Sequence, residues 1–129
     1  MPFTISILDE TTSGRSSAAG AFQFPEAAVT LRDIIRLRVE QEAERFNQSE
    51  GGPFLGLVQP EESERILNGV RTRRKVDWQM QYATAVKSFE GNGFLVFIDN
   101  RQIMDLDEAL PLTPQTQVTF LKLVPLMGG

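Results

Sequence analysis

At 129 residues, with 41% hydrophobic and 9% aromatic side chains, the chain has the composition of one folded domain with a modest core. A net charge of −4 provides no basic footprint for nucleic acid. Cysteine and histidine are both absent, which removes disulfides, thiolate catalysis, zinc–sulfur sites and the commonest general base; neither side-chain catalysis nor a metal site is expected.

The N-terminus, Met1-Pro-Phe-Thr-Ile-Ser-Ile-Leu8, has no basic region followed by a long apolar run, so no signal peptide is expected. No window approaches the ~20 apolar residues of a membrane span, and a cytoplasmic protein is the expectation. Phe3, Ile5 and Ile7 alternate with polar residues as one face of a first strand. Asp9 to Gly20 is rich in turn formers and reads as a long, mobile hairpin loop. Alternation resumes with Phe22 and Phe24 inward, and Pro25 ends a second strand that should pair antiparallel with the first.

Thr30-Leu-Arg-Asp33 has the form of a capping box with aspartate in place of glutamate. Leu31, Ile34, Ile35, Val39, Ala43 and Phe46 then recur at spacings of three and four, one face of an amphipathic helix, with Arg36 and Glu40 paired on its other side. Asn47 to Pro60 is loop-like, and its Phe54-Leu-Gly-Leu-Val58 run suits either a strand or a packed loop. Pro60 to Asn68 is expected to form a short helix closed by Gly69, and Arg71 to Lys75 a solvated basic loop. Asp77 caps a further helix in which Trp78, Tyr82, Ala85, Val86 and Phe89 share a core-facing stripe, stopped by Gly91-Asn-Gly93.

Phe94 to Ile98 is nearly continuous apolar sequence and predicts a central strand buried on both faces. Asp99-Asn-Arg101 is a turn, Gln102-Ile-Met104 a returning strand, and Asp105 to Leu110 a single helical turn or wide bend. Asp105, Asp107 and Glu108 solvate that turn; nothing completes a metal or acid–base site around them. After Pro111 and Pro114, Gln117 to Leu123 forms a last strand that Pro125 terminates, and Leu126-Met-Gly-Gly129 follows. Two glycines without Cβ atoms form a thin, flexible end whose final carbonyl is unobstructed.

A hairpin, a long helix, two further strands and a last strand running into Gly128-Gly129 resemble the β-grasp of ubiquitin. The likeness is strongest over Phe94–Gly129, and within the family it lies toward the small subunit of molybdopterin synthase and the thiamine sulfur carrier. The extra residues between helix and central strand are more like ubiquitin-like proteins of bacterial conjugation operons. The resemblance implies an α+β fold: a mixed sheet packed on one long helix, with a helical insertion at about 47–77 before the central strand. Residues 1–125 would form a single ubiquitin-like domain and 126–129 a flexible tail.

The family's chemistry then falls on the C-terminus. An α-carboxyl titrates near ~3.5, so the Gly129 carboxylate is ionised and a poor electrophile until a partner adenylates it. The resemblance implies that no cofactor binds this chain. ATP and magnesium belong to a ubiquitin-activating-type adenylating enzyme, against which Leu123, Leu126 and Met127 would dock. Transfer through a thioester to a target lysine would make the chain a protein modifier, served by a conjugating enzyme and a deconjugating protease. Transfer to sulfide would make it a sulfur carrier with a C-terminal thiocarboxylate. A non-covalent binding module is the third reading. Lys75, Lys87 and Lys122 are the side-chain amines on which chains could be built. Neither nucleic acid nor membrane is an expected partner.

Overall fold

A computed structural model describes residues 3–24, 28–49, 51, 54–59, 64–67, 70–73 and 75–123, and among these the chain forms nine strands and two helices. The chain divides into two compact units, Met1–Ile34 with Ser88–Gly129, and Ile35–Lys87.

In the first unit, β1 (Phe3–Thr11) and β2 (Ser16–Phe24) form an antiparallel hairpin. Ile5, Ile7, Phe22 and Phe24 are buried, as their alternation requires. The strands run well into the stretch expected to be a long loop, leaving only residues 12–15 in the turn. Residues 16–18 are exposed, so that end of the strand carries no apolar alternation to betray it. The register shifts between Ile7 and Leu8, opposite Gly20, whose φ of +132° is open to glycine without strain.

A short strand, β3 (Ala28–Thr30), leads into α1 (Leu31–Gln48). The capping box forms as expected: the Asp33 amide donates to Thr30 Oγ1 at 3.2 Å, and the Thr30 amide donates to Asp33 Oδ2 at 3.0 Å. Thr30→Ala is expected to lower stability by about 1 kcal/mol in urea titration and Thr30→Ser to restore it; an unchanged midpoint for the alanine variant would show the cap to be dispensable.

The rest of this unit is β6 (Phe94–Ile98), β7 (Arg101–Ile103), β8 (Ala109–Pro111) and β9 (Val118–Lys122). The main sheet has the order β2-β1-β9-β6-β7, with β1 and β9 parallel and the other neighbours antiparallel. It is therefore a mixed five-stranded sheet in an α+β fold. β9, not β6, occupies its centre, and Val118, Thr119 and Phe120 are all buried. β6 alternates buried and half-buried residues instead of being buried throughout. Asp99 and Asn100 link β6 to β7 with φ of 47° and 74°, the left-handed pair that matches a two-residue hairpin to strand twist. Phe94 lies against Phe89 and Phe120, ring centroids 5.9 and 5.7 Å apart. β8 pairs with β3 as a separate two-stranded ladder after the turn at Asp105–Glu108, a pairing without a local sequence signal.

The second unit holds most of α1 and of α2 (Trp78–Glu90), the two helices that periodicity marked, of 18 and 13 residues; the resemblance, which implies one long helix, is matched only in part. Asp77 Oδ1 caps α2 by accepting from the Gln79 amide at 2.9 Å. Ala43, Phe46, Phe54 and Val76 form a cluster, with Trp78 packed against it and the Phe46 and Phe54 rings edge to face at 5.3 Å. Phe54 to Gln59 is a packed loop, one of the two expected options. A Cβ on Gly56 would press on the Phe54 ring at 2.5 Å, so glycine lets this loop fold over its own aromatic residue.

The short helix expected over Pro60 to Asn68 does not form across its described part. Glu64–Leu67 is strand β4, paired antiparallel with β5 (Val70–Arg73). The register Leu67↔Val70 leaves two residues between the strands, and in sequence these are Asn68-Gly69, the pair preferred in two-residue hairpin turns. That signal outweighs the helix propensity of the preceding glutamates. Arg71 and Arg73 accordingly belong to a strand, not a loop; Arg74 lies outside the described residues.

Candidate functional site

β9 positions the end of the chain. Its first three residues are buried at the sheet centre, and its last, Lys122, reaches Asp9 on the neighbouring β1 at 3.5 Å. Leu123 follows directly. Its amide donates to the Gly93 carbonyl at 3.3 Å and the residue is 38% exposed, so the chain leaves the sheet with an apolar side chain facing water. Leu123 is thus the described member of the expected docking set. Leu126, Met127, Gly128 and Gly129, with Pro125 before them, lie outside the described residues.

Of the three amines, Lys75 and Lys87 are exposed, and Lys122 is half-buried beside Asp9. The acidic residues after β7 are engaged in local structure. Arg32 grips Asp107 with two nitrogens, Nε to Oδ1 at 2.9 Å and Nη2 to Oδ2 at 3.3 Å. This fork holds the Asp107 carboxyl below the usual carboxylate range, chiefly through the hydrogen bond and further through the guanidinium charge. Glu108 takes Arg101 Nη2 at 2.7 Å, and Asp105 Oδ1 accepts from the Asp107 amide at 2.9 Å. Among the described residues no cluster of acidic side chains is arranged to hold a metal ion. Trp78 and Tyr82, expected in the core, are half-buried on α2, with Trp78 packed on the apolar cluster; the buried residues of that helix are Gln81 and Ala85.

Two features escaped the sequence. The first is a groove of about 450 Å³ in the sheet unit, beside edge strand β7, with Phe89, Glu90, Leu95 and Met104 among its lining residues. Met104, 77% exposed, was its one visible sign: an apolar residue between a strand and an acidic turn. The second is a buried ion pair on α1. Arg38 and Glu42 are 1% and 9% exposed, with Nε to Oε2 at 3.2 Å. The other Glu42 oxygen, Oε1, accepts from the Leu57 amide at 3.1 Å. A helical period places both positions near the apolar stripe, but charge argues for solvent, and only packing decides between them.

Among the described residues no helix is long and apolar enough to cross a membrane. Comparison with known proteins produced no match to a family model, to a curated protein or to a solved structure.

Proposed function

We propose that this chain is a β-grasp protein modifier of the ubiquitin-like kind. Its Gly129 carboxylate is adenylated by an activating-type enzyme that uses ATP and magnesium, then passed through a thioester to target amines. The chain supplies the acyl group and a docking surface; the catalytic cysteine and the metal belong to its partners. A conjugating enzyme and a deconjugating protease complete the cycle in the cytoplasm.

The observation that carries this reading is the connectivity of the sheet. A hairpin forms one edge, a long helix follows, a second hairpin forms the other edge, and the last strand returns parallel to the first between them. A parallel neighbour demands a crossover connection, and here the crossover contains α1. In such an arrangement the strand leading to Leu126-Met-Gly-Gly129 lies at the sheet centre with a partner on each side, so a tail can be handled by another enzyme without loosening the fold.

The test is mass spectrometry of an N-terminally tagged protein, expressed in its native host and purified under denaturing conditions. The intact mass reads directly whether Gly129 carries the free carboxylate. Trypsin cleaves after Lys122, so a conjugated target is expected to carry Leu123–Gly129 as a branch on lysine. Replacement of one terminal oxygen by sulfur, without branched peptides, would instead identify a sulfur carrier. Neither species, under conditions of active expression, would overturn both and leave a non-covalent binding module.

A further inference from the structure

The groove beside β7 lies wholly within the sheet unit, and none of its lining residues belongs to the segment that follows β9. Its apolar surface comes from Phe89 near the end of α2, Leu95 of β6, Ile103 at the end of β7, and Met104 and Leu106 beyond it. At about 450 Å³ it falls within the range of about 300–1,000 Å³ typical of sites that take up ligand groups. The exposed Met104 offers an unbranched, polarizable side chain that adapts to the shape of an apolar guest.

Charge selects the guest. Three carboxylates, Glu90, Asp105 and Asp107, line the groove against one guanidinium, Arg32. Arg32 is committed to Asp107 by the two-pronged contact, so those two largely neutralise one another. Glu90 and Asp105 are both exposed, and among the described residues neither pairs with a cation. An anionic ligand, including the chain's own terminal carboxylate, would be repelled. A cation near the apolar floor would be attracted.

Position selects an extended guest. β7 is the last strand of the sheet, and its outer side has no strand partner among the described residues. Such an edge accepts main-chain hydrogen bonds from an added strand, while alternate side chains of that strand enter neighbouring pockets. We propose that this edge and groove form a docking site for an extended segment of a partner protein. The segment places one apolar side chain beside Met104 and Leu95, and lysine or arginine within two residues of it toward Glu90 and Asp105. The site stands independently of the fate of Gly129, so its failure and the failure of the modifier reading are separable.

The experiment uses the full chain with ¹³C-methyl methionine and an amidated heptapeptide alternating lysine and leucine. Of the four methionines, Met80 is also exposed, at 64%, and serves as the internal control. The Met104 methyl resonance is expected to shift progressively with peptide at low salt while Met80 stays in place. A peptide with glutamate for lysine should leave Met104 unmoved. Glu90→Gln combined with Asp105→Asn removes both charges and keeps the side-chain carbonyl that accepts from the Asp107 amide. In that variant, checked for its fold by circular dichroism, binding is expected to weaken about five- to tenfold. The proposal is overturned by no Met104 shift at millimolar peptide, by equal binding of the glutamate peptide, or by equal shifts at Met80. A Met104 shift that tracks protein concentration without peptide would also overturn it, in favour of a second copy of this chain.

Discussion

Deletion of Gly129 is expected to abolish conjugate formation in the native host while leaving the fold intact. Removing one residue draws the terminal carboxylate back by up to ~3.5 Å along an extended tail. Displacement of a reacting group by even ~1 Å can cost about a hundredfold in rate, so loss of at least that size is expected. Stability should be preserved because β9 ends at Lys122, upstream of the deletion. A urea midpoint within about 0.5 kcal/mol of wild type is the expected control. An added C-terminal residue should act in the same way, by burying the reactive carboxylate in a peptide bond. A denaturing immunoblot of tagged protein reads the result: persistence of the conjugate ladder in the deletion variant would sink the modifier reading.

The largest expected effect on stability lies at Glu42, which binds two groups at once. Its Oε2 meets Arg38 Nε, and its Oε1 takes the Leu57 amide. Glu42→Ala removes a buried charge from its partner and leaves the Leu57 amide to find another acceptor. A loss of about 3–5 kcal/mol is expected, since breaking one side of a buried ion pair costs more than the pair contributes. Glu42→Gln retains a carbonyl for Leu57 and should cost less, about 1–3 kcal/mol. Arg38→Met with Glu42→Leu removes both charges and should lie closer to wild type than Glu42→Ala, although the Leu57 amide is still deprived. Urea titration of the three proteins decides the matter. A Glu42→Ala variant within 1 kcal/mol of wild type would mean that water or other groups solvate Arg38 on demand.

The pair also explains why the segment after α1 is held close within the second unit despite its loop composition. Glu42 binds the Leu57 amide. Asn47 both donates to the Val76 carbonyl at 2.8 Å and accepts from the Val76 amide at 2.7 Å. Gln81 donates to the Val58 carbonyl at 2.9 Å. Three polar side chains on two helices thus satisfy backbone groups of Leu57, Val58 and Val76, which belong to no strand, as buried backbone groups require.

Most element types were legible along the chain, because burial of one face imposes a period of two on strands and 3.6 on helices. Ile5 and Ile7, Phe22 and Phe24, and the stripe from Leu31 to Phe46 all bury the face that their spacing marked. Both helix starts were legible too, since Thr30, Asp33 and Asp77 satisfy orphan amides through short-range contacts written in neighbouring residues. The Glu64–Leu67 strand was misread because glutamates and a leading proline suggest a helix, whereas the Asn68-Gly69 pair that favours a hairpin lies just beyond.

By itself, then, the sequence determined the α+β class, the two helix caps and the absence of cysteine and histidine. Tertiary structure alone decided that β9 stands at the sheet centre, with Ile7 beside Val118, and that β3 meets β8. It likewise decided the burial of Arg38 with Glu42 and the gathering of Arg32, Glu90, Leu95 and Met104 around one groove. The physical reason is range. Caps, turns and amphipathic faces arise from residues within a turn or two of each other, while strand neighbours and buried charge pairs depend on segments brought together only when the core closes.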